Sequence, residues 1–128
     1  MIDSNYQRTM ARLLNAYNGG DFDAFLRELA DNVRFRSPLA GETAGGHSGV
    51  RHLLSTARDR LRLRRLETGP AFQNQAQIAM DVVGTAEAPG GGTLSLNIIL
   101  VVEFAENGLI QEVRFFWDPK PLLPHLGG

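Results

Sequence analysis

The chain has 128 residues, a formal net charge of −1 and no cysteine. This length suits one domain with its own hydrophobic core, and we assign residues 1–128 to that single domain. The missing cysteines exclude disulfides and thiolate metal sites, and the near-neutral charge disfavours a nucleic-acid-binding role. No apolar run reaches the ~20 residues of a membrane-spanning helix, and the first residues lack the features of a signal peptide. We therefore expect a cytoplasmic protein with no membrane or nucleic-acid partner.

Two amphipathic helices are predicted at the N-terminal end. In the first, capped by Asp3 or Ser4 and ended by the Gly19-Gly20 pair, the apolar residues recur at helical spacing. That stripe comprises Tyr6, Met10, Leu13, Leu14 and Tyr17. Asp21 is placed to cap a second, shorter helix. Its apolar stripe comprises Phe22, Phe25, Leu26 and Leu29.

A strand and a third helix follow. Apolar and polar residues alternate from Val33 to Ser37, which predicts a strand that Pro38 ends. The glycine-rich residues 39–47 are predicted to form a loop, and Ser48 to cap the next helix. The inward stripe of that helix comprises Val50, Leu53, Leu54, Ala57 and Leu61. Near Arg64 the helical spacing gives way to an extended pattern.

Four consecutive strands are predicted to complete the chain. The first two span residues 66–72 and 77–87 and are joined by a turn at residues 73–75. A long strand spans residues 94–104, and the Asn107-Gly108 pair predicts a hairpin into the last strand, which runs to Trp117. Helices followed by consecutive strands predict an α+β fold with the helices on one face of an antiparallel sheet.

Residue parity in the last hairpin assigns the side chains to two faces. One face is predicted to line a pocket and includes Leu96, Ile98, Leu100, Val102 and Phe104 with Leu109, Gln111, Val113, Phe115 and Trp117. The other face mixes apolar residues with charges, which suits the interface of a homodimer. The apolar interface residues are Ile99, Val101, Ile110 and Phe116. A three-residue loop with a bulge would instead exchange the faces of the last strand.

Three segments of the sequence carry a resemblance to a known superfamily. They are Ala16 to Phe25 with the strand that ends at Pro38, Gly46 to Leu54, and Glu106 through Pro119. Together they resemble the NTF2-like superfamily, and the last segment resembles its SnoaL-like polyketide-cyclase branch. The resemblance implies a cone in which three N-terminal helices pack on a curved antiparallel sheet and enclose an apolar pocket. Because members include isomerases, cyclases, hydrolases and non-catalytic binders, the fold alone does not assign chemistry.

The sequence does not place the catalytic residues of two enzymes of the superfamily where those enzymes need them. Matching the motifs of ketosteroid isomerase places Ser37, Leu13 and Leu100 where that enzyme needs its base and two acidic donors. None of these side chains can replace those groups. An epoxide hydrolase of the limonene type needs an arginine between two aspartates inside the pocket. Parity puts Asp81, Arg114 and Asp118 on the outer face.

Two functions remain open. The first is a cyclase or isomerase that folds a hydrophobic polyketide- or steroid-like substrate with the help of one general base and no metal or cofactor. The second is a non-catalytic module that binds such a molecule. The resemblance and the face assignment imply a pocket lined by Leu13, Tyr17, Phe25, Phe35, Ser37, Leu54, Met80, Val82, Leu100, Val102, Val113, Phe115 and Trp117.

Two ionisable residues are the candidates for a catalytic base. Asp118 lies at the end of the last strand, although an Asp-Pro pair also commonly begins a turn. His47 precedes the third helix, although a solvated loop histidine is the simpler interpretation. We expect no metal site, because His47 and His52 lack the i, i+4 spacing of a helical zinc site.

Overall fold

The computed structural model describes residues 2–38 and 43–127. The helices are α1 (Ser4–Asn18), α2 (Phe22–Arg27), α3 (Gly46–Ser55) and the short C-terminal α4 (Pro124–Gly127). The strands are β1 (Leu29–Arg36), β2 (Thr43–Gly45), β3 (Leu63–Asn74), β4 (Gln77–Glu87), β5 (Thr93–Phe104) and β6 (Ile110–Phe116). A single π turn (Thr56–Arg60) extends α3, and a 3₁₀ turn (Lys120–Leu122) precedes α4. The α+β class is confirmed.

The caps of the first two helices are those that the sequence predicts. The Asp3 carboxylate accepts hydrogen bonds from the backbone N–H groups of Asn5 and Tyr6, at 2.8 and 3.4 Å. The Asp21 carboxylate accepts one from the Ala24 N–H at 3.0 Å. Gly20 has φ +69°, a left-handed conformation that ends α1 and reverses the chain toward α2.

The start of α3 differs from the prediction. The helix begins at Gly46, so Ser48 lies inside its first turn and is not its cap. Residues 43–45 form strand β2, and residues 39–42 of the predicted loop lie outside the described residues. Gly46 has φ +70°, and this left-handed conformation lets the chain pass directly from a strand into a helix.

The six strands form one sheet in the order β2-β1-β6-β5-β4-β3. All neighbours are antiparallel except β1 and β6, which are parallel, so the predicted antiparallel sheet is confirmed with one parallel pair. No hairpin joins these two strands, and alternation along β1 carries no information on its direction. β3 begins at Leu63, directly after Arg62 with φ 64°, slightly earlier than the helical spacing suggests.

A β-bulge corrects the face assignment at the start of β6. Phe104 pairs with Ile110, but the next pair is Glu103 with Glu112, so Gln111 is an extra residue on β6. Ile110 therefore faces the core with 0% of its surface exposed, and its prediction as an interface residue is wrong. Beyond the bulge the predicted parity holds, since Phe115 pairs with Leu100 on the core face.

A network of hydrogen bonds joins the C-terminal end of α1 to β3 and the π turn. The Asn18 side chain bonds the backbone of Leu66 twice, donating to its carbonyl at 2.9 Å and accepting from its N–H at 2.7 Å. Arg58 donates to the carbonyls of Tyr17 and Asn18 at 2.9 and 3.0 Å. The bonds from Arg58 fall on the last carbonyls of α1, where the helical ladder ends, and together with those of Asn18 they tie this end of α1 to β3 and the π turn.

Candidate functional site: an apolar cavity between the sheet and helix 3

The core face of the sheet and α3 enclose a cavity of about 30 Å³. A cavity of this size holds about one water molecule. Its described lining is apolar apart from the hydroxyl groups of Tyr17 and Ser37 and the indole N–H of Trp117. The lining residues are Tyr17, Phe35, Ser37, Leu53, Leu54, Ala57, Leu63, Leu66, Ile98, Phe115 and Trp117.

The structure places some of the predicted pocket residues in this lining and the others in the solid core. Those in the lining are Tyr17, Phe35, Ser37, Leu54, Phe115 and Trp117. The others belong to the hydrophobic core and do not line this cavity, although Met80 lines a separate pocket beside α1; they are Leu13, Phe25, Met80, Val82, Leu100, Val102 and Val113. All of them point inward as their periodicity predicts. Periodicity does not tell whether a neighbouring side chain fills the space in front of them.

Several lining residues were not predicted as binding residues. Leu53 and Ala57 flank Leu54 on the inward side of α3 and its π turn, and their helical spacing was a usable signal. Leu63 and Leu66 lie where the sequence pattern changes from helical to extended, and such a change does not predict which way their side chains point. Ile98 shares the core face with Leu100, as parity predicts.

Aromatic residues of β1 and β6 form one wall of the cavity. The rings of Phe35 and Phe115 are in tilted contact, with centroids 5.4 Å apart. Phe35 is buried, whereas Phe115 and Trp117 are partly exposed. These two partly exposed rings therefore mark the side on which the cavity lies nearest to solvent.

Tyr17 contributes a ring to the cavity, but its hydroxyl group is already bonded. Only 2% of the residue is exposed, and its hydroxyl donates to the Leu63 carbonyl at 2.6 Å. Burial raises the pKa of the Tyr17 phenol strongly, and the positive charge of Arg58 opposes this shift only in part. Tyr17 therefore stays neutral at physiological pH and holds the start of β3 against α1.

The two candidate bases lie outside the described lining. Asp118 is exposed, and its Oδ1 accepts the Lys120 N–H at 3.0 Å, the geometry of an aspartate that begins a turn. His47 lies in the first turn of α3 and not in a loop. Its Nε2 donates to the Leu29 carbonyl at 3.1 Å, and its ring lines a separate groove between α2 and α3.

The charged residues of the outer face lie as parity predicts. Asp81 is exposed opposite Ile99, and Arg114 lies opposite Val101, both on the face away from the cavity. Among the described residues, no three His, Cys, Asp or Glu side chains lie close enough together to hold a metal ion. No described helix is both long and apolar enough to cross a membrane.

Comparison with known proteins identifies the family of the fold. The sequence pattern of the SnoaL-like domain matches residues 10–113. No protein with a curated description matches the chain in sequence.

Solved structures share the fold across almost the whole chain. An NTF2-like protein of unknown function from Burkholderia pseudomallei superposes with a TM-score of 0.81 at 20% identity, covering 98% of this chain and 100% of that one. SalBIII, an epoxide hydrolase/cyclase-like enzyme of pyran ring formation in the polyether salinomycin, gives 0.79 at 18% identity, covering 92% and 94%. RV0760c from Mycobacterium tuberculosis, solved with estradiol-17beta-hemisuccinate, gives 0.74 at 17% identity, covering 91% and 96%. The NTF2-like fold is confirmed.

Proposed function

The chain belongs to the SnoaL-like domain family, and on that premise we propose that it binds a small apolar molecule, of polyketide or steroid type, without catalysing its conversion. The observation that carries this proposal is the chemistry of the cavity. Its described lining offers aromatic and aliphatic side chains with few polar groups, and the Tyr17 hydroxyl among these bonds the Leu63 carbonyl. A lining of this kind recognises a ligand through shape and apolar contact.

The size of the cavity sets a condition on binding. Sites for drug-sized molecules have volumes of about 300–1,000 Å³, whereas this cavity has about 30 Å³. A polycyclic ligand therefore has to displace side chains as it enters. Phe115 and Trp117 are the aromatic lining residues that are not fully buried, so they can move at the lowest cost in core packing. We expect the two rings to turn outward and then to close against the ligand.

Ligand binding tests the proposal directly. Isothermal titration calorimetry with a panel of polycyclic ketones should give saturable binding at one site per chain. The variant Ala57→Leu adds volume to the cavity wall and should weaken binding by about tenfold or more. Ala11→Leu is the control, because Ala11 is exposed on α1 and does not line this cavity. Equal affinity of both variants for the ketone would show that it binds outside this cavity.

A second candidate function is the cyclase or isomerase with one general base. Asp118 favours it, because this residue directly follows the lining residue Trp117 and uses only Oδ1 in its turn hydrogen bond. A ligand that displaces Trp117 would come close to the other carboxylate oxygen. Asp118→Asn keeps the turn and removes the base, so turnover should fall by about 10²–10⁴-fold with little change in binding. Unchanged turnover would remove Asp118 from the candidates.

We also propose that the protein is a homodimer through the outer face of the sheet. Ile99 and Phe116 are neighbours across two strands and remain 40% and 51% exposed. Val101 lies beside them and is half-buried. Three arginines, Arg34, Arg36 and Arg114, surround Glu112 on one side of this apolar centre. Asp81 is exposed on β4, on the other side of β5 from these arginines, so a two-fold axis that runs along β5 brings charges of opposite sign together.

A further inference from the structure

A second concave site lies between α2 and α3, and it differs from the apolar cavity in its chemistry. It is an open groove of about 700 Å³. Only one of its described lining residues, Leu26, is aliphatic, and the others carry charged or hydrogen-bonding groups. The lining residues are Asp23, Leu26, Arg27, His47, Ser48, Arg51, His52 and Ser55.

The charges of the groove favour an anion. Among the described lining residues two arginines face a single carboxylate, so these residues carry net positive charge even with both histidines neutral. Arg51 of α3 forms an ion pair with Asp23 of α2, which holds its guanidinium group across the groove. Among the described residues Arg27 has no carboxylate partner within 4.0 Å, so its charge is available to a ligand.

The groove also supplies directed hydrogen-bond donors. Because His47 Nε2 donates to the Leu29 carbonyl, the orientation of the ring is fixed, and its Nδ1 is an acceptor in the neutral ring and donates to an anion only in the protonated ring. The hydroxyl group of Ser48 and the imidazole of His52 lie on the same helix, one turn apart. The Ser55 hydroxyl donates to Asp59 at the far end, which makes that end the less favourable one for an anion.

We propose that the α2–α3 groove binds a small molecule that carries a phosphate group. Arginine forks bind the oxygens of a phosphate through paired, charge-assisted hydrogen bonds. A volume of about 700 Å³ accommodates an organic group beyond the phosphate, and Leu26 gives that group an apolar contact. This site is independent of the apolar cavity, since the two have no lining residue in common among those that the structure describes.

The three histidines of the chain provide a direct readout. Two of them line the groove, whereas His125 lies in the C-terminal tail and bonds the Glu87 carbonyl. Inorganic phosphate and pyrophosphate are added at constant pH and ionic strength, with chloride as the balancing ion, while proton NMR follows the imidazole signals. The signals of His47 and His52 should shift and saturate, at lower concentration for pyrophosphate, and the His125 signal should stay in place. Equal shifts of all three signals, or shifts without saturation, would overturn the proposal.

Substitution of Arg27, which has no carboxylate partner among the described residues, tests whether its positive charge binds the phosphate group. Arg27→Gln breaks no described ion pair, so the fold should be retained while pyrophosphate affinity falls by about tenfold or more. Arg27→Lys should keep part of the affinity, because it keeps the charge and loses the fork. The control Arg65→Gln removes an exposed arginine that pairs with Glu67 on β3 and should leave the affinity unchanged. Equal affinity in Arg27→Gln and Arg65→Gln would also overturn the proposal.

Discussion

The hydrogen bond from the Tyr17 hydroxyl to the Leu63 carbonyl should be one of the most costly single contacts to remove. It is 2.6 Å long, and the tyrosine is 2% exposed. Tyr17→Phe keeps the ring and deletes only the hydroxyl group, so no aromatic contact is lost. The Leu63 carbonyl is then left without this donor inside the core. A buried acceptor that loses its partner costs about 1–3 kcal/mol of unfolding free energy.

Urea unfolding of the wild type and two variants measures this cost. Tyr6→Phe is the matched control, because Tyr6 lies on the same helix and stacks on Phe104 through its ring, with centroids 3.9 Å apart. We expect Tyr17→Phe to lower the unfolding free energy by about 1–3 kcal/mol without a change in the denaturant dependence. Tyr6→Phe should change it by less than about 0.5 kcal/mol.

An equal decrease in the unfolding free energy of Tyr17→Phe and Tyr6→Phe would contradict the special role of the Tyr17 hydroxyl. It would mean that the loss comes from the hydroxyl of any helix tyrosine and not from the buried bond to β3. A Tyr17→Phe variant as stable as the wild type would show that the Leu63 carbonyl finds another donor at no cost.

Three further predictions concern pH, packing and assembly. Because the folded state raises the pKa of Tyr17 above its usual 10.0, the unfolded chain loses this proton first. The unfolding free energy should therefore fall as pH rises above 10.0, and Tyr17→Phe should show a smaller fall in alkaline urea titrations. A Cβ on Gly84 would lie 2.9 Å from the Ile98 Cδ1, so Gly84→Ala should push that lining residue into the cavity and weaken ligand binding in calorimetry. Ile99→Lys puts a charge at the centre of the proposed dimer interface and should weaken association by about 3–5 kcal/mol in light scattering, whereas Ser95→Lys on the same strand should not. A wild-type monomer would contradict that interface.

The sequence predicts local structure best where one residue decides it. Asp21 caps α2 because its short carboxylate reaches the free N–H groups of the first turn, and this depends only on neighbours in the chain. The bulge at Gln111 depends on how a five-residue connection, residues 105–109, closes between two strands. An Asn-Gly pair indicates the hairpin but does not give this register, which is why Ile110 was assigned to the wrong face.

The sequence predicts which residues form part of the cavity wall, but it does not predict the volume of the cavity. Alternation along β6 placed Phe115 and Trp117 on the core face, and both line the cavity. Leu13 and Leu100 point toward the same side, yet close packing with their neighbours leaves no space in front of them. The groove between α2 and α3 brings together residues that are distant in sequence, such as Arg27 and His47, so no local pattern reveals it.

The emission of Trp117 tests the central claim most directly, because it is the only tryptophan of the chain and it lines the cavity. Titration with a polycyclic ketone should change its intensity and wavelength along a saturable curve, with the same midpoint as calorimetry. In Ala57→Leu both midpoints should move together to higher ligand concentration. A ligand that binds in calorimetry while the Trp117 emission stays constant would contradict the account, since binding would then occur away from this cavity.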